Sequence, residues 1–141
     1  MFDPDRQVLY VGLAIDLAER FRQHNGLVQA DPRTCKVNEI NGYFERHERL
    51  GYGILVQSPM SQPATSKNKH RFTGKRGVEV IEDTTERVKE EIRTAEGVLL
   101  EAYRRQHGGH PPWNKIGGSA DGQKRATDGS YHIISKFRLE Y

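Results

Sequence analysis

The chain has almost no cysteine, a thin supply of apolar residues and no long hydrophobic run. A single cysteine, Cys35, among 141 residues excludes an intrachain disulfide. That suits a reducing compartment, so a cytoplasmic location is expected. Apolar residues make up 35% of the sequence and charged residues 29%. The apolar share is below that of ordinary globular domains, so one modest core and a single domain over residues 1–141 are expected. No segment approaches the ~20 apolar residues that cross a bilayer. The opening Met1-Phe2-Asp3-Pro4-Asp5-Arg6 has neither the basic start nor the apolar stretch of a signal peptide. No membrane partner is therefore expected. The formal charge of +3 is too small to specify a polyanionic partner. Tryptophan occurs once, as Trp113, and is expected to pack beneath a helix end rather than to offer a stacking platform.

What is there is ordered by turn signals. Val8-Leu9-Tyr10-Val11 follows an Asp-Pro-Asp turn and predicts a strand that Gly12 ends. Asp16 has the place of an N-cap, and Leu17, Phe21 and His24 then recur at helical spacing until Asn25-Gly26. A second helix is predicted from Val37 to Leu50, and a second strand from Tyr52 to Val56. Ser58 to Gly77 reads as a loop, and Val78 to Ile81 as a short strand or a lead into the next helix. Asp83-Thr84-Thr85-Glu86 resembles a capping box. Val88, Ile92, Ala95, Leu99 and Ala102 continue at spacings of three and four, predicting a long helix to about His107. Gly108-Gly109 ends it and Pro111-Pro112 prevents its return. Gly117 to Gly129 is a polar loop, and Tyr131 to Phe137 predicts a last strand. The expected fold class is α/β: a small, mainly antiparallel central sheet of about three strands flanked by helices.

Two groups of residues carry chemistry. Tyr10-Val11-Gly12 precedes a helix on which Arg20 and His24 lie one turn apart, on one face. A phenol, a guanidinium and an imidazole suit phosphate chemistry, where arginine stabilises the charge of the transition state and the others handle protons or orient water. The bland alternative is a core tyrosine beside a solvated basic face. The second group is Glu96-Gly97-Val98-Leu99-Leu100-Glu101 and then Pro111-Pro112-Trp113-Asn114. Glu101 lies beside the buried stripe, and Gly97 one turn earlier leaves backbone open to a phosphate. One carboxylate can hold a hard cation that keeps several waters. The bland alternative is a glutamate on an ordinary charged helix. Lys67, Lys69, Arg71, Lys75 and Arg76 form a block without acids that could neutralise the phosphates of DNA. His107, His110 and Cys35 lack zinc spacing.

Taken together, Tyr10-Val11-Gly12, Arg20 ten residues after the tyrosine, Glu101 in a Leu-Leu-Glu helix and Asn114 after a proline resemble the GIY-YIG nuclease superfamily. The resemblance covers Val8 to His24 and Glu86 to Lys115 well and the middle poorly. It implies a metal-dependent DNA endonuclease using Mg2+ or another divalent ion such as Mn2+. Arg20 would contact the scissile phosphate, Glu101 would bind the metal, and Asn114 would tie the segment after the helix to the site. Glu101 is matched in preference to Glu96 because thirteen residues separate it from Asn114. His24 matches a position that holds histidine or tyrosine in several branches. Pro112-Trp113-Asn114 looks most like the restriction-enzyme branch.

One element of the family pattern is missing. No Gly-Ile-Tyr strand precedes Tyr10, whereas Gly129-Ser130-Tyr131-His132-Ile133-Ile134 stands near the other end. A circular permutation is therefore expected, with the 131–137 strand antiparallel to 8–11 and Tyr131, the proposed general base, beside Tyr10. The competing expectation is a catalytically inactive nucleic-acid-binding module of the same fold. A third is an interaction domain with chance motifs. Monomer and homodimer are both open.

Overall fold

The fold is described by a computed structural model covering residues 1–31, 34–55, 73–74, 76–77 and 85–136. It is mainly helical, and no strand or sheet forms among the described residues, which corrects the expected α/β fold with a central antiparallel sheet. The helices are α1 (Leu17–His24), α2 (Val37–Phe44), α3 (Thr85–His107), α4 (Ala120–Arg125) and α5 (Tyr131–Ser135), with a 3-10 turn at Asp128–Ser130 before α5. The capping signal at Asp83-Thr84 and the segment Val78 to Ile81 lie outside the described residues.

The extended segments expected as strands exist only as isolated contacts. Phe2 bridges to Val8 on one side and to Gly51 on the other, both antiparallel. A turn joins the first pair, with Gln7 N–H donating to Asp3 Oδ1 at 2.7 Å and Arg6 in the left-handed region at φ 63°. Pairing stops there because each segment leaves the ladder within a few residues. Gly12 begins a loop into α1, and past Leu9 the outer edge of 8–11 is taken by a loop: Trp113 N–H donates to Leu9 O at 2.9 Å. Among the described residues the backbone neighbours of 8–11 are therefore 1–2 and 113–114, and 131–136 does not pair with it.

That last segment is helical where a strand was predicted. Thr127 and Ser130 form a reciprocal capping box around the 3-10 turn, and Tyr131–Ser135 continues it as α5. Ile134 is buried and Tyr131 is packed against the core, three residues apart, while His132 and Ile133 stay exposed. Helical spacing thus buries one side of the segment, and the caps outweigh the β preference of two adjacent isoleucines. Among the described residues, 131–136, the strand that motivated the circular permutation does not form, and Phe137 lies outside them.

The helices follow the sequence more closely. Asp16 caps α1, its side chain accepting from Glu19 N–H at 2.9 Å, and Gly26 at φ 67° follows its end. The second helix ends at Phe44 rather than Leu50. Tyr43 there stacks on His47, with ring centroids 4.3 Å apart, and its hydroxyl donates to Arg49 O at 2.9 Å, folding 45–49 around the ring. Gly51 must then reach Phe2. The helix α3 runs to His107, and Gly108 at φ 79° ends it.

The core lies where α3 meets the N-terminal turn and α5: Phe2, Val8, Leu99, Tyr103 and Ile134 form one buried cluster. A second contact joins α3 to α4 through glycines. A Cβ on Gly122 would overlap the Thr94 carbonyl and lie 2.8 Å from Gly97 Cα. Gly97 is buried under α4, so its bare backbone serves helix packing and not the approach of a phosphate. Gly122→Ala is expected to cost about 1–3 kcal/mol by overpacking. Gly109→Ala, which meets nothing within 4 Å, should stay within about 0.5 kcal/mol of native. Denaturant unfolding of the two variants checks the pair. No described helix is long and apolar enough to cross a membrane.

Candidate active site

The site is built around the turn after Tyr10. Gly12 is exposed, and the Tyr10 ring folds back onto it so closely that a Cβ there would overlap the ring edge and the hydroxyl. Glycine is what lets the phenol lie against the backbone. The next residue, Leu13, donates its N–H to the carboxylate of Glu96. Asp16 then starts α1, which carries Arg20 and His24 one turn apart. The His24 ring is buried and meets Tyr10 edge-on, centroids 5.8 Å apart at 84°. Its Nδ1 accepts the backbone N–H of Lys36 at 3.0 Å. Only Nε2 is then left to carry the proton of the neutral ring, so His24 is a hydrogen-bond donor, not a base.

The charges in this cluster act on one another. Burial raises the Tyr10 phenol above its ordinary value; Glu96 and Glu39 add to that effect and Arg20 opposes it. Burial likewise raises Glu96, against the Leu13 N–H and Arg20. His24 is pushed down to about 4, by burial first and then by Arg20 and Lys36. Arg20 influences each of these groups through its charge, and its guanidinium donates to Thr34 O at 3.4 Å. Tyr10 and His24 are thus in ring contact, Arg20 acts electrostatically on both and on Glu96, and Glu96 acts on Tyr10.

No match to this chain was found among protein-family models, among curated proteins or among solved structures.

The other sequence-predicted residues lie elsewhere. Glu101 is five residues beyond Glu96, roughly 140° round the helix. It falls one turn after Gly97, on the side that faces α4 and the 3-10 turn. Arg104 Nε and Arg105 Nε hold its two oxygens at 2.7 and 3.0 Å, and Arg105 reaches towards Asp128 at 3.8 Å. Hydrogen bonds from Arg104 and then Arg105 lower its carboxyl to about 2. Both oxygens are thus engaged in an ion-pair network away from Arg20. Tyr131 is also apart. Its hydroxyl shares a hydrogen bond with His107 Nε2 at 2.9 Å, at the C-terminal end of α3, beside Tyr103. It does not sit beside Tyr10. Of the basic block, Lys67, Lys69, Arg71 and Lys75 lie outside the described residues, and Arg76 is exposed.

Asn114 does join the two ends of the site. Val11 N–H donates to its Oδ1 at 2.9 Å, and its Nδ2 donates to Val11 O at 2.7 Å. This double bond spans 103 residues of sequence and holds the Tyr10–Gly12 turn against the segment following α3. Asn114→Ala leaves both Val11 groups unpaired and is expected to cost about 2 kcal/mol. Asn114→Asp, which keeps only the acceptor, should fall between Ala and native in chemical unfolding.

Sequence reasoning passed over Glu96 and Lys36 as site residues. For Glu96 a signal existed: it lies four residues after Ile92 and three before Leu99, so a carboxylate interrupts a core-facing stripe. Lys36 carries no such signal, since its burial comes from the return of the chain beneath α1.

Could this set hold a divalent ion? No group of three or more His, Cys, Asp or Glu side chains suited to a metal occurs among the described residues. Glu96 is a single, half-buried carboxylate on which Arg20 acts, and an ion there would draw its remaining ligands from water and phosphate. That is the pattern Mg2+ favours, so the residues fit.

Proposed function

We propose that this chain is a metal-dependent phosphodiesterase acting on DNA, with its centre at Tyr10, Arg20, His24 and Glu96. The observation that carries this reading is the linkage, by ring contact and by charge, of a phenol, a guanidinium, a neutral imidazole and a half-buried carboxylate. Glu96 replaces Glu101 as the metal-binding acid. Tyr10 replaces Tyr131 as the phenol of the site.

Each residue has a separable task. Arg20 draws the phosphate by charge and stabilises the extra negative charge of the in-line transition state. The Nε2–H of His24 donates to a phosphate oxygen. Tyr10 orients the attacking water through its hydroxyl, and the water's proton passes to solvent. The leaving oxygen takes a proton from solvent. A divalent ion bound by Glu96 would supply Lewis-acid stabilisation of the reacting oxygens. Asn114 acts indirectly, by fixing the turn that presents Tyr10.

Plasmid nicking with and without Mg2+, using the native chain and Arg20→Ala, tests the reading. Mg2+-dependent nicking that Arg20→Ala lowers about a hundredfold or more supports it. Retention of DNA with no nicking would leave a nucleic-acid-binding module of the same fold. Neither retention nor nicking rejects both.

A further inference from the structure

Lys36 is the residue of this region that the reading above does not use. It is 5% exposed, and its ammonium lies 5.3 Å from the centre of the Tyr10 ring. Its one ion-pair contact among the described residues is with Glu39, at 3.5 Å. Its backbone N–H is the group that fixes His24. A lysine this buried cannot reach a bound strand, so it does not touch substrate. Nor is it a sensible choice for packing alone. Methionine would fill the same space without removing an ammonium from water, a cost that a single, partly exposed carboxylate at 3.5 Å offsets only in part. What the position supplies is the charge itself, set against the face of one aromatic ring, where a cation is attracted by the ring's negative face.

We infer that Lys36 is a positioning residue of the proposed hydrolytic site, its buried ammonium clamping the Tyr10 ring against Gly12 so that the phenol hydroxyl is held in place for the attacking water. This rests on the phosphodiesterase reading for its consequence, but the clamp is a property of the folded chain. The ring is held from three directions: Lys36 over its face, His24 at its edge and Gly12 beneath the hydroxyl. Arg20, Glu39 and Glu96 are the other charged groups that act on it. Removing Lys36's charge while keeping its volume frees one of the three.

The test uses the full chain and two neutral variants, Lys36→Met and Lys36→Gln. Single-turnover and steady-state nicking of plasmid DNA with Mg2+ should show kcat lowered between about tenfold and a hundredfold, the order expected for a misplaced reacting group. KM for DNA should stay unchanged, since Lys36 makes no contact with it. The thermal midpoint of Lys36→Met should be equal to or above that of the native chain. A residue with only a structural role would show the opposite pair, lower stability and unchanged kcat. The ring signals of Tyr10, assigned by comparison with Tyr10→Phe in NMR spectra of tyrosine-labelled protein, should move in both variants. Native-like kcat in the variants overturns the inference while leaving the nuclease reading intact. Should the native chain fail to nick DNA, the nuclease reading falls. The Tyr10 signals then decide the clamp: displaced signals uphold it, and unmoved signals overturn it.

Discussion

Glu96→Gln is expected to lower Mg2+-dependent nicking by at least about a hundredfold, while Glu101→Gln leaves it within a few-fold of native. The two glutamates are five residues apart on one helix, yet their surroundings differ in kind. Glu101 has both oxygens bonded to Arg104 and Arg105, which hold it firmly ionised and occupied. An ion binding there would have to displace two guanidinium groups. Glu96 is raised by burial, is opposed in this by the Leu13 N–H and by Arg20, and itself acts on Tyr10. A cation would relieve its position, and glutamine would keep the hydrogen bond to Leu13 while removing the charge. Glu101→Gln should instead reduce stability, since Arg104 and Arg105 lose their shared acceptor. Its contribution is present above the ordinary carboxylate range and is lost as pH falls from about 4.5 towards 2. The inverse result, an inactive Glu101→Gln and an active Glu96→Gln, would move the metal to the other face of α3 and dismantle the proposed centre.

The second large effect is on acid stability. The native chain should lose on the order of 1–3 kcal/mol through His24 as pH falls from 6.5 to 4, the shift being discounted for solvent screening. The sign follows from the direction of the shift. The folded state holds the imidazole neutral down to about 4, whereas the unfolded chain takes up a proton near 6.5. Below 6.5 the unfolded state binds more protons, so stability is full above that pH and drains away until the folded ring also titrates. Burial is the main cause, and protonation at Nδ1 would also break the bond from Lys36 N–H. Glu96 works in the other direction, because its raised pKa favours the folded state as acid is added. His24→Asn places an oxygen where Nδ1 was and cannot titrate. Denaturant unfolding at a series of pH values should show the native slope between 6.5 and 4 flattened in this variant, the difference cancelling every other group. Parallel slopes would mean that folding does not lower the His24 pKa.

How much of this was legible beforehand depends on the range of the interactions. The start and end of α1 were readable because Asp16, Asn25 and Gly26 act within a few residues of themselves. The end of α3 was readable for the same reason, at Gly108. The strand predicted at 131–137 failed although its signal was local. Ile133-Ile134 favours β structure, but Thr127 and Ser130 bond each other's backbone and start a turn that Ile134 then buries helically. The predicted sheet failed because single bridges at Phe2 do not extend when the flanking residues are claimed by a loop and by Asn114.

The choice between Glu96 and Glu101 shows where reading along the chain stops. The residue types and the pairing of Arg20 with His24 on one helical turn follow from composition and the 3.6-residue period, while an acid from the long helix is what the family resemblance implies. Which acid faces the guanidinium depends on how α3 is rotated about its axis. That rotation is set by the burial of Leu99 and Tyr103 on one side and by the close glycine contact with α4 on the other. Both are contacts between segments remote in sequence, and the burial of Lys36 beneath Tyr10 has the same origin. Chemistry was written in the order of residues, and its address was settled by packing, because a helix carries the same side chains whichever way it is turned.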